Sequence, residues 1–121
     1  MYQIRFYRDR RGREPVREFL DELAKRKGGH SRKLSHLIRR SIEDLSRMGL
    51  ALGMPNIRRI DEDIWELRPQ RYRIFFFGIN GDSFVLLHHY CKKTEKTPRS
   101  EIERAHREME YYLEEERNGR E

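Results

Sequence analysis

An Asn-Gly pair at positions 80–81 stands between two long β-rich runs, and it limits the fold more than any other feature. Both central residues of a type I′ turn need positive φ, and Asn-Gly meets that need at least cost. The flanking runs, Arg71–Ile79 and Ser83–Lys92, are therefore predicted to form an antiparallel hairpin. Ile64–Arg68 reads as a shorter strand before it, joined through Pro69-Gln70. β-Branched and aromatic residues fill all three runs, as a half-buried pleated surface requires. Alternation places Arg73, Phe75 and Phe77 on one face of their strand and Tyr72, Ile74 and Phe76 on the other.

Cations stand inside these strands rather than on a solvated helix face. Arg68, Arg71 and Arg73 lie at or within strands, and the third run leads into His88, His89, Tyr90, Lys92, Lys93 and Lys96. A small sheet presenting Arg, Lys, His and Tyr suits holding and cutting a phosphodiester.

The rest of the chain supplies the scaffold. Tyr2–Tyr7 is predicted as a first strand, followed by the charged turn Arg8–Glu14. Pro15 suits the first turn of a helix, and Val16, Phe19, Leu20 and Leu23 make one apolar stripe along it. Lys25-Arg26-Lys27 and the breakers Gly28-Gly29 end that helix. Ser31 is expected to cap a second helix, whose stripe runs from Leu34 to Met48 before Gly49. The two helices form an αα-hairpin predicted to pack on one face of the sheet. Ile57–Ile60 reads as a short extended piece. Thr97 and Pro98 are expected to open a final helix with a thin apolar stripe of Ile102, Ala105, Met109, Tyr112 and Leu113. The fold class is α+β: a small antiparallel sheet, an N-terminal αα-hairpin and a C-terminal helix, forming one domain over residues 1–121.

Charge sharpens the functional expectation. Residues 1–100 hold 23 Lys and Arg against 13 Asp and Glu, a net +10, whereas residues 101–121 hold four against eight, a net −4. A basic body with an acidic tail points to a polyanion partner, nucleic acid above all. No run approaches the ~20 apolar residues of a membrane span. The N-terminus has no apolar signal core, so a cytoplasmic location without membrane contact is expected. The single Cys91, expected as a buried strand thiol, makes no internal disulfide or multi-cysteine zinc site. His88 and His89 are adjacent and diverge, so neither a metal nor another cofactor is expected.

Four segments in order, IWELR, RYRIFFF, VLLHHY and CKKTEKTP, carry a family resemblance. Together with the residues around them they resemble the RelE/HigB superfamily of toxins from type II toxin–antitoxin systems, in its phage-derived HigB-like branch. The resemblance is strong over residues 57–113 and looser over 1–50. It implies the RelE-like fold and a metal-independent endoribonuclease, an mRNA interferase that cuts translated mRNA on the ribosome and so inhibits translation. It also implies neutralisation by a cognate helix-turn-helix antitoxin of HigA type. By position, Arg73 matches a strand arginine of such toxins and Lys93 stands where they often carry arginine. Arg59 falls where they place lysines. At Glu66 the chain departs from the lysine that RelE-type toxins often have.

RNA cleavage by its own 2′-hydroxyl needs a base, charge stabilisation at phosphorus and a proton for the leaving 5′-oxygen. Arg73 and Arg68 suit the phosphate, because a guanidinium fork matches two of its oxygens. Lys93 is a second charge stabiliser or a proton source. Glu66 is a candidate base or a structural partner of Arg68, and His88 a candidate base or acid or a packed strand residue. Arg59, Arg71, Lys92 and Lys96 are candidate RNA-backbone contacts, and Tyr90 a stacking residue. The alternative is a non-catalytic RNA-binding or regulatory interaction module on the same scaffold.

Overall fold

The computed structural model describes residues 1–119. The chain runs β1 (Gln3–Phe6), α1 (Pro15–Lys25), α2 (Gly29–Met48), a short 3-10 turn at Gly49–Leu52, β2 (Ile57–Arg59), β3 (Trp65–Leu67), β4 (Tyr72–Ile79), β5 (Ser83–Cys91) and α3 (Arg99–Gly119). The Asn-Gly hairpin forms as expected. Ile79 pairs with Ser83, and Asn80 and Gly81 take φ of 59° and 74°.

The five strands make one sheet in the order β1-β5-β4-β3-β2. Strands β2 to β5 are antiparallel, but β1 joins β5 in parallel, Gln3 opposite Ser83 and Phe6 opposite Leu86. The sheet is thus mixed, a detail absent from the expected antiparallel sheet. β1 is separated from β5 by two helices and three strands, so a parallel return is open to it.

Helices cover both faces. Val16, Leu20 and Leu23 of α1 and Leu34, Ile38 and Leu45 of α2 pack against Ile57, Leu67, Ile74 and Phe76 on one face. Ala105 of α3 and the partly buried Ile102, Met109, Tyr112 and Leu113 pack against Phe75, Phe77, Val85 and Leu87 on the other. The β4 alternation falls as predicted, with the even residues toward α1 and α2 and the odd ones toward α3.

A bulge interrupts that order in β5. Ile74 pairs with His89 and Phe76 with Leu86, so Leu87 and His88 together oppose Phe75. One extra residue turns both side chains toward α3. His89 then faces α1, its ring stacked 3.8 Å from that of Phe19 at 12°, and Tyr90 faces α3 again, stacked on Phe75.

Two helix starts differ from expectation. Gly28, with φ 123°, occupies the N-cap of α2, so Ser31 lies inside the first turn. The carbonyl of Pro98 accepts from the amides of Glu101 and Ile102, placing Pro98 rather than Thr97 at the opening of α3. The Thr97 hydroxyl is directed at Glu66 instead.

Polar contacts also fasten α3 to the sheet. Arg5 donates to Glu116 at 2.7 Å and to the Tyr112 hydroxyl at 3.0 Å. His106 meets Asp61 of the β2–β3 turn at 2.9 Å. No described helix is long and apolar enough to cross a membrane.

Candidate active site

Glu66 sits at the centre of β3 and is 1% exposed. The register places it opposite Arg58 on one side and Phe75 on the other, so it points to the α3 face. A carboxylate in this position must be compensated or protonated. Its Oε1 lies 3.5 Å from Nε of Arg68 and 3.8 Å from Nε of Arg73. Thr97 donates its hydroxyl to Oε2 at 3.4 Å. Burial pushes the Glu66 carboxyl above its ordinary range, against the pull of Arg73 and Arg68. These contacts are long, so desolvation wins over the Coulombic gain.

Arg73 is fixed from behind. Its Nη1 donates to the carbonyls of Gln70 at 2.8 Å and Tyr72 at 2.9 Å. Gln70 holds φ of 53°, the left-handed conformation of the turn between β3 and β4. Burial lowers the Arg73 pKa, yet a guanidinium keeps its charge in a protein. Arg68 is the more open of the two, its side chain 17% exposed against 7% for Arg73. Its Nε is buried and makes no hydrogen bond, since the approach to Glu66 reaches ion-pair distance only. A buried donor without an acceptor is uncommon in a folded protein.

Tyr90 stands across the ladder from Arg73, with burial raising its phenol pKa. The Lys92 amide bonds the Arg71 carbonyl at 2.6 Å, carrying the ladder into the following loop. There a hollow of about 600 Å³ is lined by Arg71, Cys91, Lys92, Lys93, Thr94 and Glu95. Lys93 and Lys96 are exposed on this loop, which Thr94 tightens by donating to the Lys96 carbonyl at 3.0 Å. Cys91 is also exposed, because β5 ends there, beyond the cover of the helices; the expectation of a buried thiol is corrected.

Two of the sequence candidates have other employment. His88 is wholly buried, Nδ1 meeting Glu108 at 2.5 Å and Nε2 meeting Glu101 at 3.0 Å. With both ring nitrogens engaged beneath α3, it joins sheet to helix and does not open on the Glu66 cluster. Arg59 braces the β2–β3 turn, donating from Nε and Nη2 to the carbonyls of Asp61 and Glu62 at 2.7–3.2 Å. Its neighbour Arg58 takes the position facing the cluster, exposed and opposite Glu66. Neither Arg58 nor Thr97 stands out as a site residue in the sequence. The β2–β3 register identifies the first, and the long return from β5 to α3 brings in the second. Among the described residues no three His, Cys, Asp or Glu side chains gather as metal ligands.

A mixed five-stranded sheet between an αα-hairpin and a C-terminal helix defines a RelE-like α+β fold. The chain belongs to the phage-derived Gp49-like proteins (DUF891), whose model matches residues 18–110. This is a family of RelE/HigB-type toxin-like proteins, associated with toxin–antitoxin systems. No curated protein matches the chain.

Proposed function

We propose that the protein is the toxin of a toxin–antitoxin pair, a ribosome-dependent endoribonuclease that cuts mRNA under translation in the cytoplasm. One observation carries the reading: a buried carboxylate, Glu66, ringed by Arg58, Arg68 and Arg73 beside a basic hollow. Arg68 and Arg58, the members that reach solvent, hold the scissile phosphate. Arg73, locked to two backbone carbonyls, keeps Glu66 in place and adds charge to the site. Lys93 stabilises the phosphorane, and Arg71, Lys92 and Lys96 hold the flanking backbone.

The reaction balances without a cofactor. Glu66 takes the proton of the 2′-hydroxyl, and the 2′-oxygen bonds to phosphorus. The bond from phosphorus to the 5′-oxygen breaks, and Tyr90, kept protonated by its burial, supplies the proton to that oxygen. The products are a 2′,3′-cyclic phosphate and a 5′-hydroxyl. Arginine charge close to the phosphorane does most of the catalytic work, as positioned donors do in acyl and phosphoryl transfer.

Neutralisation falls to a helix-turn-helix antitoxin of HigA type. The apolar stripe of α3 is spent on the sheet and is not available to it.

Induction of the protein alone in a bacterial host, with transcript ends mapped, tests the proposal. Growth arrest with new 5′ ends inside reading frames is expected, and both should vanish in Arg68→Ala and Glu66→Gln. Full toxicity in either variant would remove that residue from the mechanism. The second reading, an RNA-binding module that does not cut, draws on the same burial of Glu66, which also suits a structural carboxylate. Under it, folded wild-type protein retains RNA uncut.

A further inference from the structure

A second basic groove lies on the other flank of α3. It is a hollow of about 400 Å³ rimmed by Arg10 and Arg11 from the β1–α1 turn and by Arg104 and Arg107 from α3. Tyr7 and Tyr111 form its floor.

Its two carboxylates are already committed. Asp9 accepts from the amides of Arg11 and Arg13, both at 2.9 Å, and so holds its own turn closed. Glu108 gives one oxygen to His88 and the other to Arg104 at 3.1 Å. Among the described residues, Arg10, Arg11 and Arg107 have no carboxylate within ion-pair distance. Three unpaired arginines around one hollow repel one another, and an anion relieves that cost.

The parallel pairing of β1 with β5 sets the location. Both strands run in the same direction, but β1 ends opposite Leu86 while β5 continues to Cys91, so the arginine turn leaves the sheet beside the middle of β5 and stays apart from the lysine loop. The N-terminal half of α3 lies between them.

We infer that this groove binds the phosphate backbone of double-stranded RNA, as a docking contact separate from the Glu66 cluster. Guanidinium forks suit phosphate oxygens better than point charges do. The groove offers no free stacking surface for an unpaired base. The Tyr111 ring is covered by Arg10 at 4.6 Å and met by the edge of Tyr7 at 6.3 Å. A surface of cations without a stacking platform reads backbone and shape, the features a duplex presents. The inference goes beyond the nuclease reading, because it concerns binding and needs no cleavage.

The test is binding of the full chain to a ~16-bp RNA duplex across a salt series. Arg11→Ala with Arg107→Ala should lower the magnitude of the slope of log K against log salt by about 1.8, the change expected when two fewer duplex phosphates are neutralised. Arg11→Lys with Arg107→Lys keeps the charges and should keep the slope. An unchanged slope in the double alanine variant overturns the assignment. So does a poly-glutamate peptide that binds as tightly as the duplex and loses affinity equally in that variant, since the groove then serves an acidic protein segment. Duplex binding without any cleavage of mRNA supports the groove and fells the nuclease proposal alone.

Discussion

Nε of Arg73 lies 3.8 Å from Oε1 of Glu66, with both side chains shut away from water. Arg68 shares the same carboxylate oxygen at 3.5 Å but keeps contact with solvent. Two arginines on one carboxylate are thus unequal, one a support and the other an edge.

That inequality predicts different consequences of losing each. Arg73→Ala strips two backbone carbonyls and a buried carboxylate of their partner, so it should lower Tm by at least ~5 °C. Arg68→Ala takes one of two cations from the same buried carboxylate but leaves the Gln70 and Tyr72 carbonyls paired, so it should lower Tm by less than Arg73→Ala does. Growth arrest should be lost in both. Thermal melting beside the toxicity assay separates the roles, and equal melting points would refute the division.

His88 is predicted to matter for stability rather than for chemistry. His88→Ala leaves Glu101 and Glu108 under α3 without their shared partner, and Glu108→Ala leaves the Nδ1 side of the buried imidazole without its own. Either should cost about 1–3 kcal/mol in denaturant unfolding, the usual consequence of leaving a buried polar group without its partner. A stable His88→Ala protein without toxicity would return the histidine to the catalytic groups.

The neighbouring histidine sets a pH dependence. Burial, with the charge of His88 adding to it, brings the His89 pKa down from 6.5 to about 4. The folded state therefore holds this ring neutral where the unfolded chain would protonate it. Between pH 6.5 and 4 the unfolded state binds more protons, so stability falls as the pH is lowered through that window. His89→Phe keeps the stack on Phe19 and removes the proton, and its stability curve should be flatter there. An identical curve would show that acid unfolding is governed elsewhere.

Gly49 is predicted to resist replacement. It holds φ of +59°, and a Cβ placed on it would stand 2.5 Å from the Tyr2 ring. Gly49→Ala should destabilise by about 1–3 kcal/mol, from left-handed strain together with displacement of Tyr2. Pairing Gly49→Ala with Tyr2→Ala should recover part of the loss. No recovery would place the whole cost in the backbone.

Much of the scaffold is legible in the residues themselves. The Asn80-Gly81 turn, the β4 alternation, the Glu66–Arg68 pair and the stripes of all three helices follow from local pattern. What escapes is non-local. The parallel docking of β1 leaves no trace in its own four residues. The bulge at Leu87-His88 breaks the period of two, and nothing in LLHHY marks where. The engagement of His88 depends on Glu101 and Glu108 arriving from 13 and 20 residues downstream. Arg58 and Arg59 are chemically identical neighbours, and only the β2–β3 register decides which one faces Glu66. The grouping of Glu66 with Arg68 and Arg73 is thus within reach of the sequence, whereas the bracing of the β2–β3 turn by Arg59 and the burial of His88 beneath α3 are not.

The parallel seam also orders the birth of the fold. Gln3 is made 80 positions before its partner Ser83. Contacts of such separation form late, because a long loop must close before they are rewarded. β1 waits, while the hairpin at Asn80-Gly81 is assembled from neighbours. A chain cut short before β5 has no place to put its first strand, nor the turn of arginines that strand carries. The arginine turn thus takes its place only once β5 has been made.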